Sequence, residues 1–201
     1  MVADAVINVA GNVNVAAGAV LDAQSASSTI TIGRKFTGGS GSMVVLGCQP
    51  RTYTGNSAHT CTVEQDKHST ITIGGNVTVT GGQAVRLNGV TVNGNVTLTG
   101  GGSEMIPWSI KNNTMGGNLT ISGQTTDWLG VLFNRIGRNA TLTNIAVTDH
   151  DKGTHNVFIV RNVVGSNLTC NGLTPGVSGG FAPGSVNVVG HNATGQCAAL
   201  V

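Results

Sequence analysis

Apolar and polar residues alternate along most of this chain with a period of two, most clearly in Ile71-Thr72-Ile73, Val77-Thr78-Val79-Thr80 and Val96-Thr97-Leu98-Thr99. That alternation sends successive side chains to opposite faces of a strand, and almost no segment carries the period of a helix. The alternating phrase also recurs. ITIGGNVTVTG is followed by VTVNGNVTLTG, then by TMGGNLTISG, IGRNATLTN, VVGSNLTCNG and VVGHNATGQC. The corner asparagines fall at Asn76, Asn95, Asn118, Asn139, Asn167 and Asn192, spaced by 19, 23, 21, 28 and 25 residues. Two worn copies lie upstream, AGNVNVA around Asn12 and IGRKFTG with Lys35 at the mark. A unit this short cannot bury a core alone and must stack on its neighbours.

Each unit reads as three short strands. The first covers 70–73 or 90–92, the second follows the Asn corner, and the third covers 84–87, 109–111, 131–133 or 157–160. Three strands per turn stacked in parallel predict an all-β chain, a parallel β-helix of about eight coils forming a single domain over 1–201. The corner between first and second strands has constant length, with the Gly and Asn of a turn that needs positive φ or a side-chain bond to the backbone. Insertions of changing length come after the second strand: GGQ, GGGSEMIP, GQTTD, NIAVTDHDKGTH and NGLTPGVSGGFAPGS. They predict one ragged rim, the edge on which repeat proteins often bind partners. A larger insertion at 47–68 leaves a different corner.

Composition narrows the class. Aromatic residues make up 3% and charged residues 9% of the chain, with 31 glycines among 201 residues. The apolar content is too high for disorder, and no apolar run is long enough for membrane insertion. A net charge of +2, with no basic cluster longer than Arg34-Lys35, leaves no footprint for nucleic acid. Four cysteines, placed as Cys48/Cys61 and Cys170/Cys197, point to two disulfides and so to a secreted or cell-surface protein. The first pair would close the 47–68 insertion, and the second would staple the last coils in a cap over 170–201. Met1 leads into VADAVINVAG, which lacks the pattern of a signal peptide, so an exported chain is expected to have lost its leader.

GGNVTV repeats followed by a carboxyl-terminal NLTCNG and VGHNATGQC resemble the uncharacterised secreted right-handed β-helix proteins of actinobacteria, over most of Gly11 to Cys197. The paired terminal cysteines are the more specific part of that resemblance. It implies export and a right-handed helix. It carries no activity and no catalytic residues.

Candidate chemistry is sparse. If Val77 and Val79 point inward, Thr78 and Thr80 point outward, and the repeat adds Thr97/Thr99, Thr120/Ser122 and Thr141/Thr143, with Thr169 starting a further rung. Such a TxT array has the regularity that ice-binding solenoids use, although threonine is also a good strand former on any exposed face. The asparagine ladder is expected to bond the corner backbone, and its six Asn-x-Thr sequons follow from the repeat. Trp108 and Trp128, where the rim meets a third strand, are candidates to stack on the sugars of a polysaccharide surface. Eight acids with no recurring position, a basic stripe of Arg86, Lys111, Arg135 and Arg161 without acidic partners, and a loop of Asp149, His150, Asp151, Lys152 and His155 complete the polar inventory. The loop reads as a solvated tip, with no metal and no cofactor expected, and the acids do not form the facing carboxylate pair of a glycosidase. The expected role is a non-enzymatic rigid scaffold or binding protein, with ice and polysaccharide as candidate partners; the alternatives are an ice-binding protein using the outward threonines and a polysaccharide-binding or polysaccharide-cleaving β-helix.

Overall fold

The computed structural model describes residues 4–50, 59–150, 156–180 and 185–201. The chain is a right-handed parallel β-helix, with three parallel sheets running along its axis. The first sheet holds eight strands, from Ala5–Val9 through Ser28–Ile32, Thr70–Ile73, Val90–Val92, Thr114–Met115, Arg135–Ile136 and Val163–Val164 to Val188–Val189. The second holds Val13–Val15, Phe36–Gly38, Val77–Thr80, Val96–Thr99, Leu119–Ser122, Ala140–Val147, Leu168–Thr174 and Ala193–Gly195, with the two-residue strands Gly102–Ser103 and Thr125–Thr126 added beside the far end of Ala140–Val147. The third starts at Val20–Ala23 and Met43–Leu46, continues through Ala84–Asn88, Trp108–Lys111, Leu129–Leu132 and Val157–Val160, and ends at Val177–Ser178. We number the coils 1 to 8 in this order.

The inward-facing residues stack as continuous files, for example Val77, Val96, Leu119, Ala140 and Leu168, with Val79, Leu98, Ile121, Leu142 and Cys170 beside them. Almost all are fully buried. Aliphatic residues repeating at one position fill the narrow interior without change of register.

The corner glycines have a reason other than positive φ. At Gly74, Gly116, Gly137, Gly165 and Gly190 a Cβ would come within 2.2–2.5 Å of a carbonyl oxygen in the preceding coil, while none of these residues has positive φ. Close approach of stacked backbones selects glycine there. The corner asparagines act as expected: Asn76, Asn95, Asn118, Asn139 and Asn167 each accept at Oδ1 the backbone N–H of the asparagine one coil on, at 2.8–3.2 Å. Asn12 does the same for Lys35, which confirms the register of the worn copies.

A second ladder, of buried asparagines, runs along another corner. Asn113, Asn134, Asn162 and Asn187 stack at the corner between third and first sheets, each at most 3% exposed. Asn134 Oδ1 accepts from both N and Nδ2 of Asn113, and its own Nδ2 donates to Asn162 Oδ1 and to the carbonyl of Ile110. Asn162 and Asn187 repeat the pattern. The ladder ends on the carbonyl of Leu200, in a 3-10 turn over Gln196–Leu200 that closes the last coil.

Both disulfides form, Cys48–Cys61 and Cys170–Cys197, and all four cysteines are fully buried. Cys197 lies in the terminal turn, where Gln196 also bonds both backbone groups of Leu173. Replacing Cys170 and Cys197 by serine is expected to cost about 3.5 kcal/mol by loop-closure entropy. Because coils report locally, hydrogen exchange should show the loss first in coils 7 and 8.

The rim differs from expectation from GGGSEMIP onward, where Gly102–Ser103 and then Thr125–Thr126 of GQTTD pair as short parallel strands of the second sheet. Residues 144–147 extend a strand of the second sheet, and Ala140–Val147 pairs with Leu168–Thr174 over most of its length. NGLTPGVSGGFAPGS is therefore not one excursion: its Val177–Ser178 joins the third sheet, beside Val157 and Phe158. Pairing captures these residues because their alternation continues beyond the corner.

Candidate binding face

The second sheet presents a longer threonine array than the repeat alone indicated. Thr37, Thr78, Thr97, Thr120, Thr141, Thr169 and Thr194 are register partners in one unbroken file from coil 2 to coil 8. Thr80, Thr99, Ser122 and Thr143 form the second file, which ends at Asn171. The rungs repeat at about 4.8 Å and the two files lie about 6.7 Å apart, the spacings of a parallel strand ladder. Thr80, Thr99 and Thr194 are exposed, and the other threonines of both files are half-buried by stacking on each other.

Few of these hydroxyls are used internally. Thr37 donates to Asn14 Oδ1 at 2.9 Å, and Thr169 and Thr194 share a bond at 3.1 Å. Thr78, Thr97, Thr120 and Thr141 have no hydrogen-bond partner among the described residues. The first sheet has a competing file in Thr31, Thr72, Thr91 and Thr114, but it gives way to Arg135, Val163 and Val188.

The two tryptophans do not lie side by side. Trp108 is fully buried, faces the interior and donates its indole N–H to the carbonyl of Gln83 at 3.1 Å, so its ring is not available to a ligand. Trp128 turns outward and lies across Gly130, where a Cβ would come within 2.1 Å of the indole. Its ring stacks on Phe158 at 5.7 Å between centroids, with Lys111 Nζ at 5.0 Å from the ring.

The polar loop is not a solvated tip at its start. Asp149 is 8% exposed, and its N–H donates to the carbonyl of Asp127, whose carboxylate also bonds His150 Nδ1 at 2.9 Å. The hydrogen bond from His150 holds the Asp127 carboxyl below its usual range. Asp151, Lys152 and His155 lie outside the described residues. Two carboxylates meet elsewhere, at Asp4 and Glu64, sixty residues apart in sequence. Both bond Lys67 and Ser27, and the Lys67 bond is the main cause that lowers both carboxyls. The triad is solvent-exposed and screened, a tie between the 47–68 insertion and the first coils.

No family model, curated protein or solved structure matches this chain. The functional reading therefore rests on the two outward faces themselves. Among the described residues no helix is long and apolar enough to cross a membrane, and no group of three or more potential metal ligands occurs.

Proposed function

We propose that the chain is a non-enzymatic, exported β-solenoid that binds an ordered surface through the threonine face of its second sheet, with ice as the ligand. The observation that carries this reading is the unbroken file of Thr37, Thr78, Thr97, Thr120, Thr141, Thr169 and Thr194 in constant register. A lattice of water molecules presents equivalent sites at fixed intervals, and a rigid surface matches it without the ordering cost that a flexible one meets on binding. The strand ladder fixes these side chains before contact, and the β-branched side chain adds a methyl beside each hydroxyl. Two buried disulfides support export to an oxidising compartment.

The test is thermal hysteresis together with inhibition of ice recrystallisation. Wild-type protein should show both activities. Thr97→Lys, at the centre of the file, should abolish them, and Thr91→Lys on the first sheet should leave them unchanged. A folded wild type without activity, or a Thr97→Lys variant that keeps it, would refute the assignment.

A further inference from the structure

The basic stripe seen in the sequence acquires a geometry on the third sheet that the threonine face does not explain. Arg86 and Ser109 are register partners on its outer surface, and Lys111 stands two residues beyond Ser109 in the adjacent coil. Both cations are half-buried. Neither has a carboxylate partner among the described residues, whose ion pairs involve only Lys67 and His150 as cations. Burial, and then the neighbouring Arg86 guanidinium, push the Lys111 ammonium below its usual range.

A desolvated cation next to a like charge is unfavourable unless something compensates it. The compensation present is the face of Trp128, whose weak attraction does not neutralise a charge. At one end of the site lies His59, whose carbonyl accepts from the amide of Asn88, two residues beyond Arg86, at 3.2 Å; burial, then the Arg86 and Lys111 charges, lower its affinity for a proton, against the pull of Asp22. On the other side stands the Trp128–Phe158 stack. It is a strip of sheet with two unpaired cations in its floor and an indole along its edge.

We propose that Arg86, Lys111 and Trp128 form a binding site for an acidic polysaccharide, with the carboxylate of a uronic acid residue between the two cations and the sugar ring against the indole. Two cations with one aromatic group fit a ligand that carries one anionic group per ring together with an apolar C–H face. A nucleic acid needs a denser basic track, since its affinity grows with the number of phosphates neutralised. The chain's net charge of +2 offers no such track. The site lies on a different sheet from the threonine face, and its test is independent of ice activity.

Binding of polygalacturonate to the full chain, measured by calorimetry at low and at physiological ionic strength, tests the proposal, with dextran as the neutral polysaccharide. Wild type should bind polygalacturonate and not dextran. Lys111→Met, which keeps most of the apolar stem without the charge, should weaken binding by about tenfold or more, as expected for loss of one charge-assisted contact. Trp128→Ala should weaken it as well, and Lys35→Met, an exposed cation remote from the site, should not. Circular dichroism and thermal midpoints confirm that each variant is folded. Absence of polygalacturonate binding by wild type at low salt, or Lys111→Met binding like wild type, would overturn the site. Equal affinity for double-stranded DNA, lost in the same variants, would overturn the polysaccharide assignment.

Discussion

Asn134→Leu is expected to destabilise the protein by about 4 kcal/mol, through the cost of leaving buried polar groups without partners. The substitution removes the acceptor for both the backbone N–H and the Nδ2 of Asn113, and it removes the donor to the carbonyl of Ile110. Asn162 Oδ1 loses one of its two donors. Water cannot replace these bonds, because Asn113, Asn134 and Asn162 are each 1% exposed. Leucine branches at the same carbon as asparagine, so the shape of the side chain is kept and the measured loss reports mainly the polar term. In guanidinium chloride the midpoint should fall by roughly 1 M, for a denaturant slope of a few kcal/mol per molar.

Asn118→Ala supplies the contrast. Asn118 holds the same kind of position in the other ladder, accepting the N–H and the Nδ2 of Asn139, but it is half-buried at the outer corner. Solvent reaches the freed groups, and the expected cost is about 1 kcal/mol. If the two substitutions cost the same, burial is not what gives the inner ladder its strength.

The difference between the two ladders also marks what the sequence made legible. The outer asparagines announce themselves because Gly and Asn recur at a fixed offset before each TxT phrase. The inner ones recur just as regularly, as Asn113-Thr-Met-Gly, Asn134-Arg-Ile-Gly, Asn162-Val-Val-Gly and Asn187-Val-Val-Gly. That signal was available, but asparagine ordinarily reads as an exposed turn residue. Only the corner geometry buries it. The residue before each of Asn113, Asn134 and Asn162 has positive φ (Asn112, Phe133 and Arg161), which swings the chain and turns the asparagine into the interior. Nothing in Phe133 or Arg161 announces that conformation, since bulky residues seldom adopt it.

The threonine face was legible to the extent that parity is legible. Alternation assigned Thr78, Thr97, Thr120 and Thr141 to one surface, and register then extended the file to Thr37 and Thr194. Thr37 was hidden because its copy of the repeat, IGRKFTG, has lost the second alternation and keeps glycine at 38. Pairing of Phe36 with Val77 restores it. The site on the third sheet was legible only as a list of cations. Arg86 and Lys111 are 25 residues apart in sequence, and their juxtaposition depends on the length of the rim insertion between them, which no pattern of alternation encodes.

Trp108→Ala is expected to cost about 4 kcal/mol, in the range for truncating a large aromatic residue in a packed interior. The side chain is the largest that the structure buries completely, and its loss also strips the carbonyl of Gln83 of its indole donor. Trp108→Phe should recover most of the packing and retain a deficit of about 1–2 kcal/mol from the unpaired carbonyl. Trp128→Ala should cost far less, because that ring lies on the outside of the sheet and is half-buried. Thermal midpoints of the three variants separate these cases, and similar losses for Trp108→Ala and Trp128→Ala would refute the assignment of the two rings to opposite faces. The two residues look alike in sequence, each at the junction of rim and third strand. Register separates them: Trp108 pairs with Leu129, so Trp128 stands one residue before the inward position. In a strand a displacement of one residue exchanges the faces, and it leaves one tryptophan in the core while the other lies beside Lys111 on the surface.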